Sequence, residues 1–213
     1  MKQMKTPQMQ NPELAEVEVD LDRGSFLVKG ALAVGAIYGS LAAGPFVRRA
    51  LAQKGSSDVD ILNFALTLEY LESAFYEQGL KTAKLGAEQK MVAQEIASNE
   101  MDHVNSLMGA ISDMGGKPVE APGVDFGNAV KSESAFLKLA QTFEDTGVSA
   151  YNGAGPMLKS KEVLGVAGSI VQVEARHAAR IRLLNGETPA PDPFDPPLTM
   201  DEVLKAVQPY VKS

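Results

Sequence analysis

The chain has 213 residues, of which 45% are hydrophobic, so it is long and apolar enough for one sizeable globular core. Its net charge of −7 argues against a nucleic-acid-binding protein, which needs excess positive charge to neutralise phosphates. The absence of cysteine excludes disulfides, thiolate zinc sites and iron–sulfur clusters, so any bound metal must be held by oxygen and imidazole ligands.

Residues 1–52 are predicted to be a targeting segment. Residues 30–47 are apolar and follow basic residues, and Ala50-Leu51-Ala52 fits the small-x-small pattern that signal peptidase cleaves. The preceding Arg23-Gly24-Ser25-Phe26-Leu27 resembles a twin-arginine export signal with glycine in place of the second arginine. A retained membrane anchor and a buried helix are the alternatives, because 18 apolar residues also suffice to span a bilayer. We therefore expect a periplasmic or cell-envelope protein, associated with the membrane through residues 24–47 if the segment is not cleaved.

Residues 53–186 are predicted to form four long helices. In each, apolar residues recur at steps of three and four, which is the spacing of one helix face. In chain order, the predicted helices begin near Asp58, Ala87, Ser132 and Ser160 and end near Lys84, Met114, Pro156 and Leu184. Asp58 is the predicted N-cap of the first helix, and residues 153–156 are predicted to kink the third helix near its end. A long connection, residues 115–131, separates the second helix from the third. Two short-linked helix pairs joined by one long crossover are the connectivity of a ferritin-like four-helix bundle, so the predicted fold is all-α.

The C-terminal residues 187–213 are predicted to be a Pro-rich tail that contains one short helix. The segment Thr199-Met200-Asp201-Glu202 has the form of a capping box, which favours a helix over residues 203–207. We expect this helix to pack on the bundle.

The four helices carry the same polar residues twice. Both histidines of the chain follow a glutamate by three positions. The predicted helix before each of these Glu–His pairs carries a glutamate and a tyrosine seven positions apart. The offset is 75 residues from Glu69 to Glu144 and from Tyr76 to Tyr151, and 74 residues from Glu100 to Glu174 and from His103 to His177. Such offsets predict a pseudo-twofold bundle whose halves contribute the same constellation.

The repeated residues predict a dinuclear metal site. Glu and His three positions apart on a helix can present a carboxylate and an imidazole to one point. Surface pairs are the alternative interpretation, but Ile and Leu flank these residues on the apolar stripes, so the pairs should face inward and need an electrostatic partner. The donors suit two iron or two manganese ions, and zinc less selectively. We predict that Glu100 and Glu174 bridge the ions, while one ion is completed by Glu69 and His103 and the other by Glu144 and His177.

Three further residues are candidates for the chemistry. Tyr76 and Tyr151 follow Glu69 and Glu144 by two helical turns and are interpreted as hydrogen-bonding or radical-quenching residues, with aromatic core packing as the alternative. Glu72 breaks the repeat, because the matching position holds a glycine. It is either an additional, exchangeable carboxylate or an exposed helix residue.

Over residues 56–211 the chain resembles the ferritin-like superfamily, and within it the bacterial ferritin-like domain group related to plant desiccation-related proteins. The resemblance rests on residues 62–72, 143–151, 173–178 and 197–203. It implies the ligand order Glu, Glu-x-x-His, Glu, Glu-x-x-His of ferritins, bacterioferritins, rubrerythrins and manganese catalases, placed here on the six residues predicted above. A ferritin cage is not expected, although a smaller oligomer is compatible with the sequence.

Two functions from different classes agree with these features. The leading hypothesis is a di-metal oxidoreductase of the cell envelope, of ferroxidase, peroxidase or catalase type, that reacts with peroxide or dioxygen in stress protection. The alternative is a non-enzymatic stress-associated protein, or an accessory subunit of a membrane complex, with a structural or vestigial metal site. Hydrolysis at a zinc pair is disfavoured, because no nucleophile or phosphate-binding loop accompanies the site.

Overall fold

The computed structural model describes residues 57–212, and its regular elements are helices. They are α1 (Asp58–Thr82), α2 (Ala87–Asp113), α3 (Glu133–Ala154), α4 (Lys161–Leu184) and α5 (Met200–Val207), with 3-10 turns at Gly155–Met157 and Gln208–Tyr210. No strand occurs between residues 57 and 212, so the all-α prediction is confirmed. The predicted targeting segment, residues 1–52, lies outside the described residues.

The four long helices pack as two pairs. Helix α1 lies against α2 and α3 lies against α4, and the pairs meet where α1 contacts α3 and α2 contacts α4. Ser132, Ser160 and Thr199 cap α3, α4 and α5 with their side chains. Helices α3 and α4 begin close to their predicted starts, whereas α5 begins at Met200, before the predicted range of residues 203–207. Helix α3 ends at Ala154 and continues as a 3-10 turn, where the sequence predicts a kink.

The start of α1 differs from the prediction. Ser57, and not Asp58, is the N-cap, and it forms a capping box with Asp60. Asp58 is the first helical residue, and its carboxylate accepts hydrogen bonds from the backbone N–H groups of Lys159 and Ser160 at 2.7–3.2 Å. The side chain of Asp58 therefore joins the beginning of α1 to the beginning of α4.

The crossover between α2 and α3 is held to the bundle by side chains. Asn63 on α1 donates to the carbonyl of Lys117 at 3.2 Å and accepts from the N–H of Val119 at 2.8 Å. Further along, Phe126 and Val130 are buried in the core. The long connection is therefore an ordered layer across the bundle.

The C-terminal segment packs on the same side of the core. Val203, Leu204 and Val207 of α5 are buried in the cluster that contains Phe126. The N–H of Leu198 donates to the carbonyl of Ser149 on α3 at 3.0 Å. A Cβ at Gly153 would lie 1.9 Å from the carbonyl oxygen of Leu198, so this close approach of tail and helix requires glycine.

Two apolar clusters leave a polar layer between them. On α1, Leu66 belongs to one cluster and Leu68 and Phe75 to the other, and Glu69 and Glu72 are buried among them. The Glu-x-x-His pairs of α2 and α4 are also flanked by one cluster on each side along the helix. The polar layer is thus enclosed by hydrophobic side chains. None of the helices between residues 57 and 212 combines the length and apolar character needed to cross a membrane.

Candidate metal centre

The four long helices bring all six predicted ligands to the middle of the bundle. Helices α1 and α3 each contribute one glutamate, and α2 and α4 each contribute a glutamate and a histidine one turn apart. Every one of these side chains is buried, and none is more than 8% exposed. The residues are Glu69, Glu100, His103, Glu144, Glu174 and His177.

The six residues form two overlapping groups of four, each with ligand atoms within 4.8 Å of one another. Glu100 and Glu174 belong to both groups. The first group is completed by Glu69 and His103, and the second by Glu144 and His177. The geometry therefore allows two adjacent cations that share two carboxylates; that ions bind there remains a prediction.

His103 directs Nδ1 into the centre of the cluster. This atom lies 2.9 Å from Oε1 of Glu174 and 3.3 Å from one oxygen each of Glu69 and Glu100. An imidazole nitrogen carries at most one proton, so Nδ1 cannot satisfy three carboxylates by hydrogen bonding. A cation bound beside Nδ1 could be held by the imidazole and by all three carboxylates.

His177 has the same orientation on the other side. Its Nδ1 lies 2.9 Å from Oε1 of Glu100 and 3.4 Å from Oε2 of Glu144. The ring centroids of His103 and His177 are 6.1 Å apart. The two imidazoles thus frame the shared carboxylates.

Several ligand atoms are buried without a hydrogen bond of acceptable geometry, although some lie close to an imidazole. They are Oε2 of Glu69, Oε1 of Glu100, Oε2 of Glu144, both carboxylate oxygens of Glu174 and Nδ1 of His177. Buried, uncompensated carboxylates are strongly unfavourable, and a divalent cation compensates them directly. Oxygen and imidazole donors in this ratio fit Fe²⁺ and Mn²⁺.

In the metal-free cluster, burial and neighbouring charges keep protons on some of the carboxyl groups. Burial raises the pKa of Glu69 to about 8, and burial together with the charge of Glu100 raises the pKa of Glu174 well above its usual value. For Glu100, the attraction of the two neighbouring imidazoles outweighs burial and lowers the pKa to about 2. Hydrogen bonds to carboxylates likewise outweigh burial at His103 and raise its pKa to about 12. Protons therefore occupy the positions that cations would take.

The two tyrosines connect the halves of the site crosswise. Tyr76 on α1 donates a hydrogen bond to Oε1 of Glu144 on α3, and Tyr151 on α3 donates to Oε1 of Glu69 on α1. In each glutamate the other oxygen, Oε2, is one of the unsatisfied atoms of the cluster. The tyrosines therefore hold one oxygen of each carboxylate and leave the other available to a cation. Tyr76 also packs edge-on against Phe75, so the packing interpretation holds alongside hydrogen bonding.

Glu72 is a buried fifth carboxylate, 4% exposed, and not an exposed helix residue. A Cβ built at Gly147 would lie 3.3 Å from Oε1 of Glu72 and 3.3 Å from Oε2 of Glu174. The glycine at the matching position of the repeat therefore provides the space that the Glu72 carboxylate fills. Burial and the surrounding carboxylates, Glu174 first, raise the pKa of Glu72 well above its ordinary value.

Sequence reasoning missed Asn99. Its Nδ2 lies 3.0 Å from Nε2 of His177, on the side of the ring opposite the cluster. The signal was present in the repeat: Asn99 directly precedes Glu100, and the position 74 residues later is Val173.

A four-helix bundle with a buried, pseudo-symmetric Glu and Glu-x-x-His cluster has the arrangement of donors that dinuclear carboxylate proteins use. Comparison with protein-family models matches residues 57–187 to the ferritin-like domain, and the chain belongs to this family. Among solved structures it is similar to the crystal structure of a conserved hypothetical protein, rv2844, from Mycobacterium tuberculosis. The TM-score is 0.56 at 18% identity, over 61% of this chain and 98% of that chain, so this likeness shows the fold alone. A search of curated proteins found no match.

Proposed function

We propose that this protein is a dinuclear iron or manganese oxidoreductase that acts on peroxide or dioxygen. One observation carries the proposal: two overlapping groups of four buried donors share Glu100 and Glu174. In helical bundles this donor pattern is the one that di-iron and di-manganese carboxylate proteins use.

The charge of the ligand set supports a pair of divalent ions. Four carboxylates offset two doubly charged cations, and the two histidines bind as neutral ligands. When bound, iron or manganese supplies the redox chemistry, which zinc lacks. The apolar clusters on both sides of the layer limit the access of water to the ligands.

Within this proposal the chain itself positions ligands and holds a proton. Tyr76 and Tyr151 fix the outer carboxylates through their hydroxyl groups. Glu72 lies against the cluster but outside both ligand groups, and burial, the largest cause of its raised pKa, favours the protonated carboxyl group. It is therefore the residue that we assign to proton delivery to the reduced oxidant.

The cellular setting is also part of the proposal. We assign the protein to the periplasm or cell envelope, with a role in protection against oxidative stress, because residues 1–52 have the pattern of an export signal or anchor. The proposal for the metal site does not depend on the proposal for the location, because the residues of the cluster all belong to residues 57–187.

Turnover of small oxidants tests the enzymatic part. Protein loaded separately with Fe²⁺ or Mn²⁺ is mixed with hydrogen peroxide or dioxygen, and consumption is followed with an electrode. We expect one of the two metal forms to consume oxidant at a rate well above that of free metal. The control is Glu88→Ala, which changes an exposed glutamate of α2 and should leave turnover unchanged.

Full metal loading without turnover of either oxidant would contradict the enzymatic proposal. In that case the metal would have a structural role, and it would raise thermal stability without catalysing a reaction.

A further inference from the structure

We infer that the two metal positions are unequal, because Asn99 positions the imidazole of His177 and the repeat provides no such residue for His103. The inference rests on the proposed dinuclear centre. It concerns which half of the centre binds its ion more tightly, which the ligand set alone does not determine.

His177 is held from both edges of its ring. Nε2 lies 3.0 Å from Nδ2 of Asn99, and Nδ1 lies 2.9 Å from Oε1 of Glu100. Both partners belong to α2, whereas His177 belongs to α4. Neighbouring residues of one helix therefore fix the rotation of an imidazole on the facing helix.

His103 lacks the outer contact. The repeat places Val173 where a counterpart of Asn99 would stand, and a valine side chain can neither donate nor accept a hydrogen bond. Within residues 57–212, no hydrogen bond reaches Nε2 of His103. Among the described residues, carboxylates at Nδ1 are the only groups that orient this ring by polar contacts.

An amide suits both states of the neighbouring ring. Nδ2 of Asn99 lies 3.0 Å from Nε2, and the same side chain carries an amide oxygen, so Asn99 can offer this nitrogen either a donor or an acceptor. When Nδ1 binds a cation, Nε2 carries a proton and needs an acceptor, which the amide oxygen of Asn99 can supply. Asn99 therefore holds His177 in one orientation with and without metal.

Outer partners of metal-binding histidines typically contribute about 10–100-fold to metal affinity. The position completed by Glu144 and His177 should accordingly bind first, and the position completed by Glu69 and His103 second. Asn99 is thus a positioning residue that acts through His177.

Histidine-selective NMR tests this inference directly. The chain has two histidines, so ¹⁵N-histidine labelling reports four ring nitrogens. Metal-free full-length protein is titrated with Zn²⁺, which is diamagnetic and accepts the same ligands. We expect the His177 ring to respond at a Zn²⁺ concentration about 10–100-fold lower than the His103 ring.

Three variants separate positioning from a structural effect. Asn99→Val copies the other half of the repeat, and it should weaken binding at His177, and not at His103, by about 10–100-fold. Asn99→Asp keeps an acceptor for the Nε2 proton and should retain the parental order of binding. Val173→Ala alters the matching position and should leave the His177 response unchanged.

Simultaneous response of both rings in the parent would overturn the inference, as would an unchanged His177 response in Asn99→Val. Neither outcome affects the dinuclear centre, because both rings still bind Zn²⁺. A parent in which neither ring responds would overturn the proposed centre and the inference together.

Discussion

The hydroxyl group of Tyr151 on α3 donates a hydrogen bond of 2.5 Å to Oε1 of Glu69 on α1. The reverse contact, from Tyr76 on α1 to Glu144 on α3, repeats this relationship in the other half of the bundle. Each tyrosine therefore serves the glutamate of the opposite half. As a result, the helix that supplies the outer glutamate of one predicted metal position also supplies the tyrosine that holds the outer glutamate of the other position.

Tyr151→Phe should weaken metal binding without unfolding the protein. The substitution leaves Oε1 of Glu69 without its donor, at a cost of about 1–3 kcal/mol for an unsatisfied buried group. We expect affinity for Mn²⁺, measured by equilibrium dialysis, to fall about 10–100-fold. Tyr210→Phe is the matched control, since the ring of Tyr210 packs on Phe143 and lies outside the cluster. Equal effects of the two substitutions would contradict the assigned role of Tyr151.

Glu72→Gln should separate metal binding from reactivity. The amide fills the same space against Gly147 but cannot carry the acidic proton. We expect metal content to match the parent, while oxidant turnover falls about 100-fold or more, as for loss of a general acid. Glu77→Gln, an exposed change on the same helix, serves as control. Loss of metal from Glu72→Gln would instead make Glu72 a ligand.

The pKa shifts predict how pH affects metal stabilisation. In the folded, metal-free protein the pKa of Glu69 is raised from 4.5 to about 8, so folding costs free energy above pH 4.5 and the cost grows until pH 8. A bound cation removes that cost, and binding must release the proton. The increase in Tm caused by Mn²⁺ should therefore be larger at pH 8 than at pH 6. A smaller increase at pH 8 would contradict this account of the cluster.

Asp58 provides a second pH-dependent contribution, of opposite sign. Backbone hydrogen bonds from Lys159 and Ser160 lower the pKa of this carboxyl group below its usual 3.8. The stability that it contributes is therefore present above pH 3.8 and is lost as the pH falls through the lowered value. Asp58→Ala should reduce the free energy of unfolding at pH 7 by about 1–3 kcal/mol, measured by urea denaturation. The difference from the parent should shrink towards pH 2; a constant difference would contradict the mechanism.

Local sequence signals were sufficient to predict the helices and the six residues that the structure gathers in one buried cluster. Spacing of three and four residues defines which side chains share a helix face, and Glu100 with His103 illustrates this for a single turn. The caps at Ser132 and Ser160 are likewise local features. These parts of the fold depend on residues within a few positions of one another.

The remaining features depend on contacts between distant residues. Ser57 and Asp58 are both acceptable caps, and the choice follows from backbone groups of Lys159 and Ser160, about a hundred positions later. The burial of Glu72 depends on the space at Gly147 on another helix. The pairing of each tyrosine with the opposite half also requires the packed bundle, so sequence periodicity could not establish it.

Metal content tests the central claim most directly. Protein purified without added metal or chelator is analysed for iron, manganese and zinc, alongside Glu100→Ala and Glu174→Ala, which each remove a carboxylate shared by both ligand groups. We predict about two iron or manganese ions per chain in the parent and far fewer in both variants. Equal metal content in the parent and both variants, or a parent that takes up no iron or manganese even when these are supplied anaerobically, would contradict the dinuclear centre.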